Sequence, residues 1–314
     1  APPKNLLMIS IDTLRKDHLG FHGGPAHTPF LDQLLAESVH LDNHMQCSSW
    51  TYVSTSCTLM GGSHEANGYM PLLTQLQEPL PDTTHFVAES LTDAGFLTAI
   101  HSPNEWLSAT WNNTKGYQIQ MNLGGDAASA ASQASVALLN AVEDQDAEKW
   151  MLHLHFLEPH SPYNPPEEYL TALADLPAIP FDLSDRDVQY AINRESFDAF
   201  PESMQEAIEA HLRVRYLGEL AWLDDKLERI FNDFEARGML EDSLVVLWSD
   251  HGETFWEHGH QTHAWDLYPE ENDAILAFLA PGLAPKAFAG PTHAYDLAPT
   301  LLDLYGIEIP PSMD

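Results

Sequence analysis

Basic residues are scarce in this sequence. Lys and Arg number only 13 of 314 residues against 47 Asp and Glu, which gives a formal net charge of −34. Charged residues make up 19% of the chain, below the ~25% typical of soluble proteins, so the imbalance comes more from missing bases than from surplus acids. A charge this negative argues against nucleic acid and anionic membrane surfaces as main partners. It also repels an anionic substrate, so attraction to one has to be local.

Cysteine and long apolar segments are sparse as well. Cys47 and Cys57 could pair across ten residues, but two cysteines make no disulfide framework, so we expect two free thiols. No apolar run approaches the ~20 residues that span a bilayer, so we expect no integral membrane segment. The sequence begins APPK without Met, which suggests a processed or trimmed start compatible with a removed signal peptide. Secreted, periplasmic and cytoplasmic locations all stay open.

Hydrophobic residues, at 44% of the chain, can build a large core. Apolar runs predict strands at Lys4–Ile11, Val39–Met45, Leu97–Ile100, Met151–Phe156, Ser243–Trp248 and Ala274–Leu279. Amphipathic patterns predict helices after Thr28 and at His85–Ala94, Ala127–Val142, Pro201–Arg237 and Asp296–Leu304. Strands that alternate with helices indicate an α/β fold with a mostly parallel sheet covered on both sides.

Polar residues directly follow three of the predicted strands. Asp12 ends the first, Glu158 and His160 follow MLHLHF, and Asp250 and His251 follow SLVVLW. Ligands of such sheets bind beyond the carboxyl ends of the strands, so we expect these side chains to converge on one site. Two carboxylates and an imidazole suit a divalent ion.

Thr51 adds a nucleophile to this set. It stands at the predicted start of a helix, where the helix dipole favours an ionised hydroxyl and a nearby metal ion would lower the hydroxyl pKa. Thr is also a common helix N-cap, and both roles are compatible. His153 and His155 are two residues apart and share one strand face. We interpret them as core or supporting residues rather than ligands.

Six segments carry a family resemblance, and they occur in order along nearly the whole chain. They are NLLMISIDTLRKDHLGFHG, AHTPFLDQLLAES, WTYVSTSCTLMGG, HFLEPHSPYNPPEEY, WSDHGETFWEHGH and HAYDLAPTLLDLYGI. The chain resembles the sulfatases and phosphodiesterases of the alkaline phosphatase superfamily. The resemblance implies an alkaline phosphatase-like three-layer sandwich with a mostly parallel central sheet. It also implies that residues 1–314 form one catalytic domain that lacks the family's small C-terminal subdomain.

The resemblance assigns roles to individual positions. The family's functional positions fall on Asp12, Asp250 and His251 as metal ligands, on Thr51 as nucleophile and further ligand, and on His160 and His263 as histidines that contact the anion. One divalent ion is implied, either Mn²⁺, Zn²⁺, Ca²⁺ or Mg²⁺. An imidazole in place of a hard carboxylate favours Mn²⁺ or Zn²⁺ over Ca²⁺. A second ion involving His293 is the less favoured alternative.

The departures from the family pattern concern the nucleophile. Formylglycine-dependent sulfatases need Cys or Ser in a C/S-x-P/A-x-R motif, whereas this chain has Thr51, Val53 and Thr55 at those places. A threonine lacks the second hydroxyl that expels sulfate, so the sequence favours a metal-dependent phosphoester or phosphodiester hydrolase with a small anionic ester as substrate. A true sulfatase, a phospho-group transferase and an inactive sulfatase-like binding protein stay open. The oligomeric state is not predicted.

Overall fold

A computed structural model describes residues 3–64, 78–192 and 197–313. Its strands are β1 (Asn5–Ile11), β2 (Val39–Met45), β3 (Phe96–His101), β4 (Ile119–Met121), β5 (Lys149–Phe156), β6 (Ser243–Ser249), β7 (Thr254–Phe255), β8 (Gln261–Thr262), β9 (Asp273–Ala274), β10 (Leu276–Leu279) and β11 (Lys286–His293). Among these residues, a nine-stranded sheet runs in the order β11-β2-β10-β6-β1-β5-β3-β4, with β9 beside β2, while β7 and β8 form a separate pair.

The centre of the sheet is parallel. Strand β1 lies between β5 and β6 and runs parallel to both, so the three strands end at the same edge. Ile11 pairs with Phe156 on one side and with Ser249 on the other. Each of these strands is almost completely buried, as expected of a sheet covered on both faces. The residues that follow them therefore emerge side by side.

Helices cover both faces of the sheet. They are α1 (Pro29–Ala36), α2 (Thr51–Met60), α3 (Val87–Asp93), α4 (Ala127–Asp144), α5 (Arg186–Ala191), α6 (Glu202–Ala236), α7 (Pro269–Asn272) and α8 (Leu297–Leu304). One hydrophobic cluster joins the sheet to α1, α4 and α6, and a second joins its other face to α2, α3 and α8. No helix in these described ranges has the length and apolar character of a membrane span.

The structure confirms the predicted mostly parallel α/β architecture. All six predicted strands are present, although the last is divided into β9 and β10. The long helix predicted at Pro201–Arg237 is α6, which begins and ends within one residue of those limits. Strands β4, β7, β8 and β11 were not predicted.

The expectation of two free thiols was wrong. Cys47 and Cys57 form a disulfide, with their Cα atoms 6.6 Å apart. The cause is the path of the chain, because the segment before α2 turns back along the helix that it starts. Cys57 lies two turns into α2 and faces Cys47 across this turn. Spacing in the sequence alone does not show such a reversal.

Asp224 joins two elements that are distant in the sequence. It is buried on α6, and its carboxylate accepts hydrogen bonds from the backbone N–H groups of Phe30 at 3.0 Å and Leu31 at 2.7 Å. These donors belong to the first turn of α1 and would otherwise have no partner inside that helix. Asp224 thus caps α1 from a neighbouring helix.

We expect Asp224→Ala to lower the free energy of unfolding by about 1–3 kcal/mol, because it leaves buried N–H groups without an acceptor. Denaturant titration followed by circular dichroism measures the loss. Glu235→Ala is the matched control, since Glu235 is exposed on the same helix. Equal stabilities for the Asp224 variant and the wild type would contradict the assigned cap.

Candidate active site

Two buried carboxylates lie at neighbouring strand ends. Asp12 follows β1 and Asp250 follows β6, and neither side chain is exposed to solvent. In the described structure, Asp12 Oδ1 and Asp250 Oδ2 have no hydrogen-bond partner. An unpaired buried carboxylate is costly, and buried charges are normally paired or bind a metal. These two oxygens therefore fit a divalent cation.

The remaining oxygens of the pair are held in place by donors. Asp12 Oδ2 accepts a hydrogen bond from Asn104 Nδ2 at 2.7 Å. Asp250 Oδ1 accepts hydrogen bonds from the backbone N–H groups of His251 at 2.8 Å and Thr13 at 3.2 Å. Thr13 adopts a left-handed conformation with φ of 52°, and this turn aims its N–H at Asp250. The partnered oxygens fix the orientation of the two unpartnered ones.

The two carboxyl groups titrate very differently. Burial alone would raise the pKa of Asp12, but nearby imidazoles, with His160 the largest contributor, hold this pKa well below its ordinary range. Burial and the charge of Asp12 raise the pKa of Asp250 well above its ordinary range. Two carboxyl groups that share a buried site behave in this way because ionising both places two negative charges close together without solvent, which is unfavourable in free energy. A bound cation would remove the conflict.

His251 presents a ring nitrogen to the carboxylates. Its Nδ1 lies 2.9 Å from the Gly252 carbonyl oxygen, which requires the proton to be on Nδ1. The unprotonated Nε2 lies 3.6 Å from Asp12 Oδ1 and 3.7 Å from Asp250 Oδ2. Burial, together with His263, lowers the pKa of His251 to about 3. A neutral imidazole oriented by a backbone carbonyl is the usual form of a metal-binding histidine.

Thr51 completes the group from the opposite side. It is the first residue of α2, it is buried, and its Oγ1 lies 3.2 Å from His251 Nε2. Ser54, one turn further along α2, donates a hydrogen bond to the backbone carbonyl of Asp250. The disulfide between Cys47 and Cys57 encloses the turn that carries Thr51. Position and support both suit a nucleophile that must be held in one orientation.

His263 and His160 line the entrance to this group. The ring of His263 lies 4.5 Å from that of His251 and 5.0 Å from that of His160, measured between centroids. Glu253 Oε1 lies 3.1 Å from His263 Nδ1, and Tyr163 donates a hydrogen bond of 2.8 Å to the other oxygen of Glu253. Burial alone would lower the pKa of His263, but Glu253 raises it. His263 is therefore suited to carry positive charge.

The structure thus brings together all six residues named from the sequence, and it adds Asn104, which the sequence did not indicate. His155, which was interpreted as a core or supporting residue, is buried with its Nε2 3.4 Å from Asp12 Oδ2. Within the described ranges, Asp12, His155 and Asp250 form the one set of three whose ligand atoms all lie within 4.8 Å of one another. The pairing of Ser10 with His155 in the parallel sheet places His155 beside Asp12, and only a predicted register could have indicated this.

The other two histidines considered at the outset lie elsewhere. His153 is a core residue, with Nε2 2.8 Å from Ser10 Oγ and Nδ1 2.9 Å from the Tyr117 hydroxyl. His293 is at the end of β11, near Tyr295, with 4.1 Å between the ring centroids. It is not part of the ligand set formed by the described residues.

Comparisons with known proteins assign the family. The family described as Sulfatase matches residues 4–307 of the chain. The chain belongs to the sulfatase family. Choline-sulfatase from Rhizobium meliloti (strain 1021) is 24% identical over 97% of this chain and 68% of the relative. A multifunctional alkaline phosphatase superfamily protein from Trinickia caryophylli is 26% identical over 56% of this chain and 38% of its own length.

Solved structures agree with this assignment at the level of the fold. A phosphonate monoester hydrolase from Silicibacter pomeroyi superposes with a TM-score of 0.74 at 21% identity, over 99% of this chain and 75% of the other. A putative sulfatase from Bacteroides fragilis superposes with a TM-score of 0.76 at 17% identity, over 100% and 77%. The predicted superfamily and its three-layer fold are confirmed. This sulfatase-family chain is accordingly an ester hydrolase, and its family uses a divalent metal ion.

We expect the disulfide of this sulfatase-family protein to stabilise the turn around Thr51. A Cys47→Ser, Cys57→Ser double variant should lose about 2–3 kcal/mol of unfolding free energy, the amount expected for a crosslink that closes a loop of this length. It should also hydrolyse its best ester substrate more slowly. Thiol titration in denaturant should find no free thiol in the untreated protein. Two reactive thiols there would contradict the pairing. Where the wild type is instead reduced chemically, recovery of activity after reoxidation shows that the reductant caused no other damage.

Proposed function

We propose that this protein hydrolyses small phosphoesters with Thr51 as the nucleophile and one divalent ion held by Asp12, Asp250 and His251. The observation that carries the proposal is the position of Thr51 Oγ1, 3.2 Å from His251 Nε2 and next to two carboxylates that each keep a buried oxygen without a partner. His155 supports the same cluster through its contact with Asp12. Imidazole and carboxylate ligands together favour Mn²⁺ or Zn²⁺.

The residues divide the chemical work among them. A divalent ion in this site would lower the pKa of the Thr51 hydroxyl and neutralise charge on the non-bridging oxygens of the ester. Thr51 Oγ, ionised after release of its proton to solvent, attacks phosphorus in line, which forms the Oγ–P bond and breaks the P–O bond to the alcohol. His263, which Glu253 orients and keeps basic, donates a proton to the departing alcohol oxygen. Water then attacks phosphorus and gives a proton to His263, and the Oγ–P bond breaks, which restores the ionised Thr51 and the protonated His263.

His160 lies beside the cluster in this scheme. Its ring centroid is 5.0 Å from that of His263, and its imidazole is the largest favourable influence on the ionised form of Asp12. Arg15, by contrast, is buried and committed to Asp17 at 2.7 Å and Glu257 at 2.6 Å. In this scheme the positive charge at the reacting phosphorus therefore comes from the bound metal ion and His263, as the scarcity of Lys and Arg already suggested.

A sulfate ester is the second candidate substrate. The family match and the similarity to a choline-sulfatase over 97% of this chain favour it. The chemistry of Thr51 opposes it, because a sulfo-threonine has no second hydroxyl to expel sulfate and must be cleaved by water at sulfur. The two candidates share the site and its ligands, so they are separated by turnover of matched esters rather than by binding.

The decisive test compares Thr51→Ala and Thr51→Ser with the wild type on a bis-aryl phosphate, an aryl phosphate and an aryl sulfate. Thr51→Ala should lower kcat by about 10³-fold or more, because no hydroxyl remains to attack, whereas Thr51→Ser keeps part of the rate. Ser56→Ala is a matched control on the same helix, where its hydroxyl bonds to the Tyr52 carbonyl.

Two further measurements separate a catalytic from a structural role. Mass spectrometry of the quenched wild type should find a phosphoryl group on the peptide that contains Thr51. Metal analysis should find about one equivalent of ion in the wild type and in Thr51→Ala, and much less in Asp250→Asn, which removes a charged ligand. Full activity of Thr51→Ala would exclude the proposed nucleophile, and sulfate turnover without phosphoester turnover would replace the first candidate with the second.

A further inference from the structure

A cavity of about 330 Å³ adjoins the candidate active site. His155 and His160 line it from the side of the sheet, and Glu219 and Trp222 line it from α6. His155 also contacts Asp12, so the cavity lies directly beside the proposed site of ester cleavage. Its volume is at the lower end for small-molecule sites, so it has room for a small alcohol.

Glu219 is the unusual residue of this cavity. Glu219 is only 4% exposed to solvent. One carboxylate oxygen, Oε1, accepts a hydrogen bond of 2.7 Å from the backbone N–H of Asn164. The other oxygen, Oε2, has no partner in the part of the chain that the structure describes. A buried carboxylate oxygen without a donor is costly, and in native proteins it calls for a specific partner.

Neighbouring cations do not provide that partner. Lys226 lies 3.0 Å from Glu158, which neutralises it, and its Nζ rests 3.1 Å from the centre of the Trp222 ring. Arg215 lies one turn before Glu219 on α6, but no ion pair joins the two among the described residues, and Arg215 Nε and Nη1 have no hydrogen-bond partner there either. Burial, together with the nearby charge of Glu158, raises the pKa of Glu219 to about 7, although Lys226 and Arg215 act in the opposite direction.

The formally charged residues that line the cavity are acidic. They are Glu158 and Glu219, and the described lining includes no Lys or Arg. A second, outer cavity of about 810 Å³ shares His160 with the first and is lined by charged residues of both signs, namely Glu105, Asp187 and Arg186. Of these two spaces next to His160, the inner cavity is therefore the one whose formally charged lining residues are all acidic.

We propose that the inner cavity binds an ammonium group carried by the alcohol portion of the ester, with Glu219 Oε2 as its hydrogen-bond acceptor and counter-ion. The inference rests on the proposed function, because it places the departing alcohol next to His160. An N–H donor supplies the bond that Oε2 lacks. It also makes the substrate less anionic, which matters for a chain with a net charge of −34.

The test uses pairs of esters that differ in charge but not in size. The wild type, loaded with metal, is compared on 2-aminoethyl and propyl phosphate, and on the corresponding sulfates. We expect kcat/KM to be about tenfold or more higher for the ammonium ester, the ratio expected for a hydrogen bond to a charged group. Glu219→Gln should reduce this ratio to about one, and Glu228→Gln, an exposed position on the same helix, should leave it unchanged.

Each outcome separates the cavity from the chemistry. Equal kcat/KM values for the two wild-type esters overturn the proposal. A preference that survives in Glu219→Gln overturns it as well and places the ammonium group elsewhere. If the wild type hydrolyses neither ester, the proposed function fails, and calorimetric titration with 2-aminoethanol and 1-propanol tests the cavity alone. Binding of the amino alcohol that depends on Glu219 supports the proposal, and equal or absent binding of both alcohols refutes it.

Discussion

The central constraint of this structure is the pair of buried carboxylates at the ends of β1 and β6. Asp12 and Asp250 each have one oxygen held by donors and one that faces its neighbours without a partner. Two negative charges without solvent or a counter-ion would repel each other strongly, so the arrangement is stable in its ionised form only with a cation. The surrounding structure fixes the same two side chains. It does so through the left-handed turn at Thr13, the oriented ring of His251 and the amide of Asn104.

Much of the fold follows from the sequence because its central strands are buried on both faces. A strand such as β6 has to be apolar at nearly every position, and that continuous pattern is easy to recognise. The same reasoning fails at the margins. Strand β11 is mostly exposed and contains Gly and Pro, and β4 has only three residues, so neither has an apolar pattern of its own. Both depend on pairing with a neighbouring strand, which a local pattern cannot show.

The residues of the site likewise divide into those whose positions the sequence predicts and those whose positions it does not. Asp12, Asp250 and His251 follow apolar runs, and parallel strands bring their ends together, so their proximity was predictable from the chain order. The proximity of His155 to Asp12 was not predictable, because the alternation of His155 with Leu154 is also the pattern of a core residue. Only the alignment of β5 against β1 turns it towards Asp12. The disulfide was missed for a similar reason, since a reversal of the chain before α2, rather than spacing, brings Cys47 to Cys57.

The charge of the chain and the chemistry of the site can now be considered together. A net charge of −34 repels any anion at long range, and Arg15, next to the first strand, is fully committed to Asp17 and Glu257. In the proposed site, attraction therefore acts only at short range, through a bound ion and histidine side chains, where low dielectric strengthens it. An ester that also carries an ammonium group avoids much of the repulsion, because its two charges partly cancel outside the site. In the proposed complex the two charges separate inside the site, with the anion at Thr51 and the cation at Glu219. The acidic surface that opposes a simple anion then favours a substrate with charges of both signs.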